Sequence, residues 1–311
     1  MSSILDDDDG PLAGSLSRRQ FAAALTGGAV VAAGVAASAR AQPKPPAPWT
    51  SEGFVQRPGG RLHYVSMGEG PPVVMLHKLG GWVADWSLIA PLLAPNYRVI
   101  AFDMPGHGES AMDRPAPYIM TLGESAAMIH AALDEMGVPR FALVGSSLGG
   151  CAGVVLAACY PEAVSHLALM SVALGGVATR ADLAKGDEAS KANYGPHDEP
   201  LPRTFEQVKS FGSIDPRINE EDNISRAKAG AWVKASEHGV GVAGVANFLP
   251  RVAAPTLLVY ADRGTYTRYE AVGRAKLRDV TVAIIKDSGS FTYQEKPAEA
   301  AAVLKPFLAR A

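Results

Sequence analysis

A chain of 311 residues, 48% hydrophobic and 19% charged, has the composition of a folded globular protein, long enough for one large α/β domain or two small ones. A formal net charge of −2 leaves no basic footprint for nucleic acid, and no Gly-Lys-Ser/Thr loop is present to cradle phosphates. The two cysteines, Cys151 and Cys159, lack zinc-ligand spacing, so neither a metal nor a cofactor is expected.

The chain begins with an acidic run, Asp6 to Asp9, then Ser17-Arg18-Arg19-Gln20-Phe21, then a weakly apolar stretch from Ala22 to Ala37. Ala39-Arg40-Ala41 follows as a small-x-small cleavage site. Zones in this order describe a signal peptide over residues 1–41, and the paired arginines before x-Phe resemble a twin-arginine signal. The apolar stretch barely reaches the roughly 17–25 residues needed to span a bilayer. The expectation is therefore a periplasmic or secreted protein that keeps no stable membrane anchor after cleavage. Residues 42–52, with prolines at Pro43, Pro45, Pro46 and Pro48, read as an extended linker to a domain over 53–311.

Within that domain strand-like and helix-like segments alternate. Phe54–Arg57 and Arg61–Met67 read as a hairpin turned by Pro58-Gly59-Gly60. Val73–Leu76 and Arg98–Phe102 are short apolar runs, with helical spacing between them over Trp86–Leu93. Thr121–Met136 has apolar residues at intervals of three and four, stopped by Gly137 and Pro139. Phe141–Val144 is apolar throughout, as a strand buried on both faces should be. Cys151–Cys159 reads as a helix ended by Pro161. On such a helix the two cysteines lie about 12 Å apart at ~1.5 Å per residue, too far for a disulfide, whose Cα atoms must come within about 7 Å. Leu167–Val172, Thr256–Tyr260 and Val280–Ile285 are β-rich, and Pro297–Leu308 closes the chain as a helix. The alternation predicts a mostly parallel sheet of about eight strands with helices on both faces. Residues 175–250 are more polar and proline-rich, with a helix expected over Glu220–Ala235; they read as an inserted cap, too long for a plain loop.

The chemistry centres on Gly145-Ser146-Ser147-Leu148-Gly149, a Gly-x-Ser-x-Gly placed after a strand and before a helix. That context defines a nucleophile elbow: a tight turn with small neighbours that lifts the Ser147 hydroxyl to the carboxyl end of the sheet. Three further motifs occur in order and spacing with it. These are Leu62-His63-Tyr64-Val65 with Gly68-Glu69-Gly70, Leu76-His77-Lys78-Leu79-Gly80-Gly81, and Asp103-Met104-Pro105-Gly106-His107-Gly108-Glu109-Ser110. Together they resemble the α/β-hydrolase family, serine esterase-like branch, over nearly the whole chain from about Gly53 to Phe307. The resemblance implies an α/β-hydrolase fold, Ser147 as nucleophile, and an oxyanion hole from the Leu79 and Leu148 amides, with Lys78 where glycine is usual.

The resemblance fails at the other two triad positions. The family's acid position, in Ala261-Asp262-Arg263-Gly264, is Gly264; its base position, in Gly289-Ser290-Phe291-Thr292-Tyr293-Gln294-Glu295-Lys296-Pro297, is Ser290, with Glu295 and Pro297 in register. A serine hydroxyl needs a base and the base an orienting group, and losing the base costs on the order of a million-fold in serine hydrolases. Substitute candidates are Lys78, His77, His197, His238 and Asp262, with Asp287 read as a loop cap. Tyr266, Tyr269, Phe291 and Tyr293 cluster in the two altered loops and suit either an apolar ligand wall or core packing. Three functions stay open: a serine-dependent ester hydrolase or acyl transferase with a substitute base, a small-molecule binding protein, and a lyase- or isomerase-type enzyme. The expected partner is a small ester or carboxylic acid.

Overall fold

The computed structural model describes residues 48–209, 212 and 215–310. The expected signal peptide and the first part of the expected linker lie outside the described residues. A nine-stranded sheet forms the centre, with β1 (Ser51–Arg57), β2 (Gly60–Met67), β3 (Pro72–Leu76), β4 (Arg98–Phe102), β5 (Ala111–Met112), β6 (Phe141–Ser146), β7 (Val164–Met170), β8 (Thr256–Ala261) and β9 (Val280–Ile285). Strand order is β1-β2-β4-β3-β6-β7-β8-β9, with β5 paired to β2. From β4 to β9 every pairing along that path is parallel, whereas β1, β2 and β5 join antiparallel. The sheet is thus mostly parallel, with one strand more than the sequence suggests: β5 is two residues long and too short to leave a pattern. The first strand also starts at Ser51, inside the expected linker, because Ser51 and Glu52 pair with Ser66 and Val65.

Helices α1 (Ala90–Leu93), α2 (Leu122–Glu135) and α3 (Leu148–Cys159) alternate with these strands. The helical spacing over Trp86–Leu93 resolves into a 3-10 turn at Val83–Trp86 and a helix that begins only at Ala90, where Pro91 lies in the first turn. Thr121 caps α2 by accepting the Glu124 amide, and Gly137 ends it at φ +70°. All six residues of β6 are buried, and so is α3 up to Ala158. This follows from position: β6 is central, and α3 is apolar on every side because it lies between sheet, α2 and the segment that follows β7. Gly153 lets α3 approach closely, since a Cβ there would sit 2.6 Å from Leu143 Cδ2. Two apolar cores flank the sheet. One is built from α2, α3 and Leu249; the other from Trp86, Ile89, Leu93, Tyr293, Leu304 and Phe307.

Between β7 and β8 the chain is helical: α4 (Arg180–Ser190), α5 (Phe205–Lys209), α6 (Pro216–Ala229) and α7 (Trp232–Ala243). The single helix expected over Glu220–Ala235 is two helices, because Gly230 takes φ +55°. Trp232 covers Gly106 so closely that a Cβ would meet its ring at 2.1 Å, and the Met120 amide donates to the Ala235 carbonyl at 2.9 Å. These contacts seat α7 on the body of the fold. Gly239-Val240-Gly241-Val242-Ala243-Gly244 spells a Gly-x-Gly-x-x-Gly, yet it ends a helix instead of following a strand, so it lacks the context of a dinucleotide loop. Helices α8 (Glu270–Lys276), α9 (Thr292–Glu295) and α10 (Pro297–Leu308) complete the chain. Among the described residues no helix is long and apolar enough to cross a membrane.

Candidate active site

Ser147 sits between β6 and α3 with φ 46° and ψ −111°, a backbone that L-residues avoid. Holding serine there costs on the order of 1–3 kcal/mol. The strain is enforced by packing. A Cβ at Gly145 would meet Gly150 Cα at 2.6 Å, one at Gly149 would meet the Leu76 carbonyl oxygen at 2.2 Å, and one at Gly150 would meet Val172 Cγ2 at 2.2 Å. The Ser147 amide donates to Met170 and the Gly149 amide to the His77 carbonyl at 3.0 Å. The second bond pins the loop carrying Leu79 against the first turn of α3. The Leu148 amide, opening that helix, has no intrahelical acceptor and lies where the helix dipole favours negative charge.

Gly264 and Ser290 lie side by side: a Cβ on Gly264 would stand 3.0 Å from Ser290 Oγ. The positions expected for acid and base are therefore neighbours in space, one a glycine and the other a serine. Ser290 is fully buried. Glu295 accepts from the Gly289 amide and the Ser288 hydroxyl, which holds this loop in shape.

The Tyr266 phenol instead lies near enough to the Ser147 hydroxyl to interact with it. Burial raises the Tyr266 pKa above the usual tyrosine value, against a smaller lowering by Ser147. The phenol therefore stays protonated at neutral pH and is not a base. The aromatic cluster splits accordingly. Tyr293 packs tilted against Trp86 in the core, ring centroids 4.4 Å apart, and Tyr269 is buried, while Tyr266 lies near the serine.

The substitute bases are engaged elsewhere. Lys78 is neither a free base nor a solvent-facing loop residue. It is 3% exposed, and its ammonium donates to Asp85 at 2.8 Å, pairs with Asp222 of α6 at 2.9 Å, and lies 5.1 Å over the Phe291 ring. Burial opposes its charge, but Asp222 and Asp85 outweigh that and hold its pKa well above the usual lysine range. His77 donates from Nδ1 to the Lys78 carbonyl and accepts the Met104 amide on Nε2, and burial lowers its pKa to about 4. His238 has Nδ1 at 2.7 Å from the Tyr118 carbonyl and Nε2 at 2.7 Å from Asp187, so both ring nitrogens face acceptors. His197 lies on an exposed turn. Asp262 is exposed and accepts the Ser288 amide; hydrogen bonds from Asp287 and Ser288 amides lower its pKa. It thereby caps the turn, while Asp287 pairs with Arg263 at 2.7 Å.

Burial pushes Asp85 up to about 6, with Asp222 adding to the rise and Lys78 opposing it. A carboxyl whose folded pKa exceeds its unfolded value near 3.8 takes up protons on folding between those values. Its contribution to stability is present below about pH 4 and lost as pH rises towards 6. Urea unfolding across this window should show wild type losing stability, relative to Asp85→Asn, as pH increases. A pH-independent difference would contradict the assignment.

Asp85, Asp222 and the role of Tyr266 were not legible in the sequence. Asp85 lies between Trp82 and Trp86, a setting that hints at a buried acid; nothing local ties Asp222 to Lys78.

The fold and the elbow define a class, and comparison places the chain in it. A family model described as "alpha/beta hydrolase fold" matches residues 71–297, and the chain belongs to that family. It is 37% identical over 107 residues to the dihydrolipoyllysine-residue acetyltransferase component of the acetoin cleaving system of Pseudomonas putida, covering 33% of this chain and 28% of that protein. It is 35% identical over 108 residues to 2-hydroxy-6-oxo-6-phenylhexa-2,4-dienoate hydrolase of Comamonas testosteroni, covering 32% and 36%. These matches thus span about a third of the curated relatives. Among solved structures, a bacterial membrane phospholipase A described as a virulence factor superposes with TM-score 0.67 at 26% identity, over 83% of this chain and 85% of that one.

Proposed function

We propose that this α/β-hydrolase-family protein is exported and binds a small, partly apolar carbonyl or carboxylic compound at Ser147 without triad hydrolysis. The observation that carries the reading is the partner of the nucleophile: Ser147 meets a protonated phenol, and the acid and base positions are an adjacent glycine and serine. The oxyanion donors do not depend on the missing base, so Leu148 at the start of α3 and Leu79 in the pinned loop can still receive a carbonyl oxygen. Wild type should hydrolyse p-nitrophenyl esters at rates near those of Ser147→Ala and should bind medium-chain carboxylic acids in calorimetry, with Ser147→Trp blocking the binding. Brisk, Ser147-dependent ester turnover would overturn the reading.

One observation favours a second reading, slow Ser147-dependent acyl transfer: a strained non-glycine residue is retained where glycine would relieve the strain. In that case a fluorophosphonate probe labels Ser147 and Tyr266→Phe changes the labelling rate.

Export rests on Arg18-Arg19 before a weakly apolar stretch and on the Ala39-Arg40-Ala41 site. Replacing both arginines by lysine should leave unprocessed protein in the cytoplasmic fraction. Unchanged export would count against the twin-arginine route.

A further inference from the structure

Two cations of the cap and the oxyanion loop lie close together and differ in how they are neutralised. Lys78 has two carboxylates, Asp85 and Asp222. Arg226, one turn after Asp222 on α6, is equally buried at 3% exposure, yet its Nε and Nη2 atoms have no acceptor. The guanidinium lies near Tyr194, whose hydroxyl donates to Glu237 at 2.7 Å. The Arg226 side chain lies across Gly80, where a Cβ would meet its Cγ at 2.5 Å. Gly80 follows Leu79, so the arginine borders the oxyanion loop.

Nε and Nη2 form one edge of the guanidinium, the edge that grips a carboxylate with two parallel bonds. The same helix shows this mode at its start: Arg217 Nε and Nη2 reach Asp215 Oδ1 and Oδ2 at 3.1 and 2.6 Å. In Arg217 the edge is exposed and filled; in Arg226 it is buried and empty of protein acceptors. Leaving such donors dry is unfavourable, so an acceptor from a ligand would relieve them. His107 Nε2 is also buried without a partner, but a single ring lone pair matches one N–H and not a pair.

We infer that Arg226, beside the loop that carries Leu79, receives a carboxylate of the ligand on its Nε–Nη2 edge, making the Ser147 site selective for acids over neutral analogues. This inference rests on the reading of Ser147 as a small-molecule site. It assigns the acid preference to Arg226 and not to Lys78, whose charge is already spent on two aspartates.

The test uses the full chain and two isosteric probes, hexanoate and hexanamide, in calorimetry. Wild type is expected to prefer hexanoate roughly ten- to a hundredfold. Arg226→Met should abolish the preference by lowering hexanoate affinity far more than hexanamide affinity, and Arg226→Lys, a point charge without the fork, should keep part of it. A wild-type arm needs no substitution: the preference should vanish as pH falls below the carboxyl pKa of hexanoate. Equal wild-type affinity for the two probes, or a preference that survives Arg226→Met, overturns the inference. Acid binding that is lost in Arg226→Met but survives Ser147→Trp supports Arg226 and removes the Ser147 site. Hexanamide binding blocked by Ser147→Trp with no preference for acid does the reverse. Binding of neither probe by wild type removes both.

Discussion

Installing aspartate at Gly264 and histidine at Ser290, with Tyr266 cut back to alanine, is expected to raise p-nitrophenyl ester hydrolysis by roughly a hundred- to ten-thousandfold, the usual contribution of a positioned base. The geometry favours this. The two positions are in contact, with a Gly264 Cβ falling 3.0 Å from the side chain of residue 290. The backbone of Gly264 is not in the left-handed region, so aspartate can occupy it without backbone strain once the side chain of residue 290 shifts slightly. Ser290 is buried, however, and the Tyr266 phenol lies beside Ser147, so cutting it back makes room for an imidazole to reach the serine. The double variant Gly264→Asp/Ser290→His should therefore gain much less than the triple. Steady-state kinetics on all variants, with Ser147→Ala in the triple background as control, decides the matter. A folded triple variant without Ser147-dependent gain would mean that these loops no longer address the nucleophile.

Lys78→Met should destabilise the protein by about 3–5 kcal/mol, the usual cost of leaving buried charge unpaired. Asp85 and Asp222 would face each other without the ammonium that now lies within 2.9 Å of both. For a domain of this size each kcal/mol moves the melting temperature by roughly 2–4 °C. Adding Asp85→Asn and Asp222→Asn to Lys78→Met should restore most of the loss, since the charges vanish together. Because burial raises the Asp85 pKa and Lys78 opposes that rise, the single variant should suffer less in mild acid than at neutral pH. Thermal and urea unfolding measure both effects. A loss below about 1 kcal/mol would show that the trio is hydrated and exchangeable, like a surface pair.

Wherever the signal was local, the sequence disclosed it. The elbow is a five-residue pattern between an apolar strand and an apolar helix, and β9 and α10 fall on Val280–Ile285 and Pro297–Leu308 as their patterns indicate. Boundaries set by one residue's dihedral were missed, as at Gly230, since a glycine does not announce φ. Long-range partners were missed for a different reason. Lys78 meets Asp222 and Gln294 only because loop, cap and α9 converge, and a helical Asp222–Arg226 spacing ordinarily marks a solvent-facing pair. Tyr266 was visible as an aromatic beside Gly264, but its hydroxyl contact with Ser147 depends on how the altered loop folds back.

The packing of the elbow separates two kinds of mutational tolerance. Gly145, Gly149 and Gly150 are fixed by backbone and side-chain atoms 2.2–2.7 Å from any added Cβ, and that demand is indifferent to chemistry. Ser147 carries a strained backbone whose hydroxyl adds nothing to that interlock. A saturation library selected only for folding would therefore purge the glycines and let position 147 drift, glycine included. Retention of the pentapeptide by itself then reports steric heredity, while the identity of the residue at 147 under selection for function reports what the site is used for.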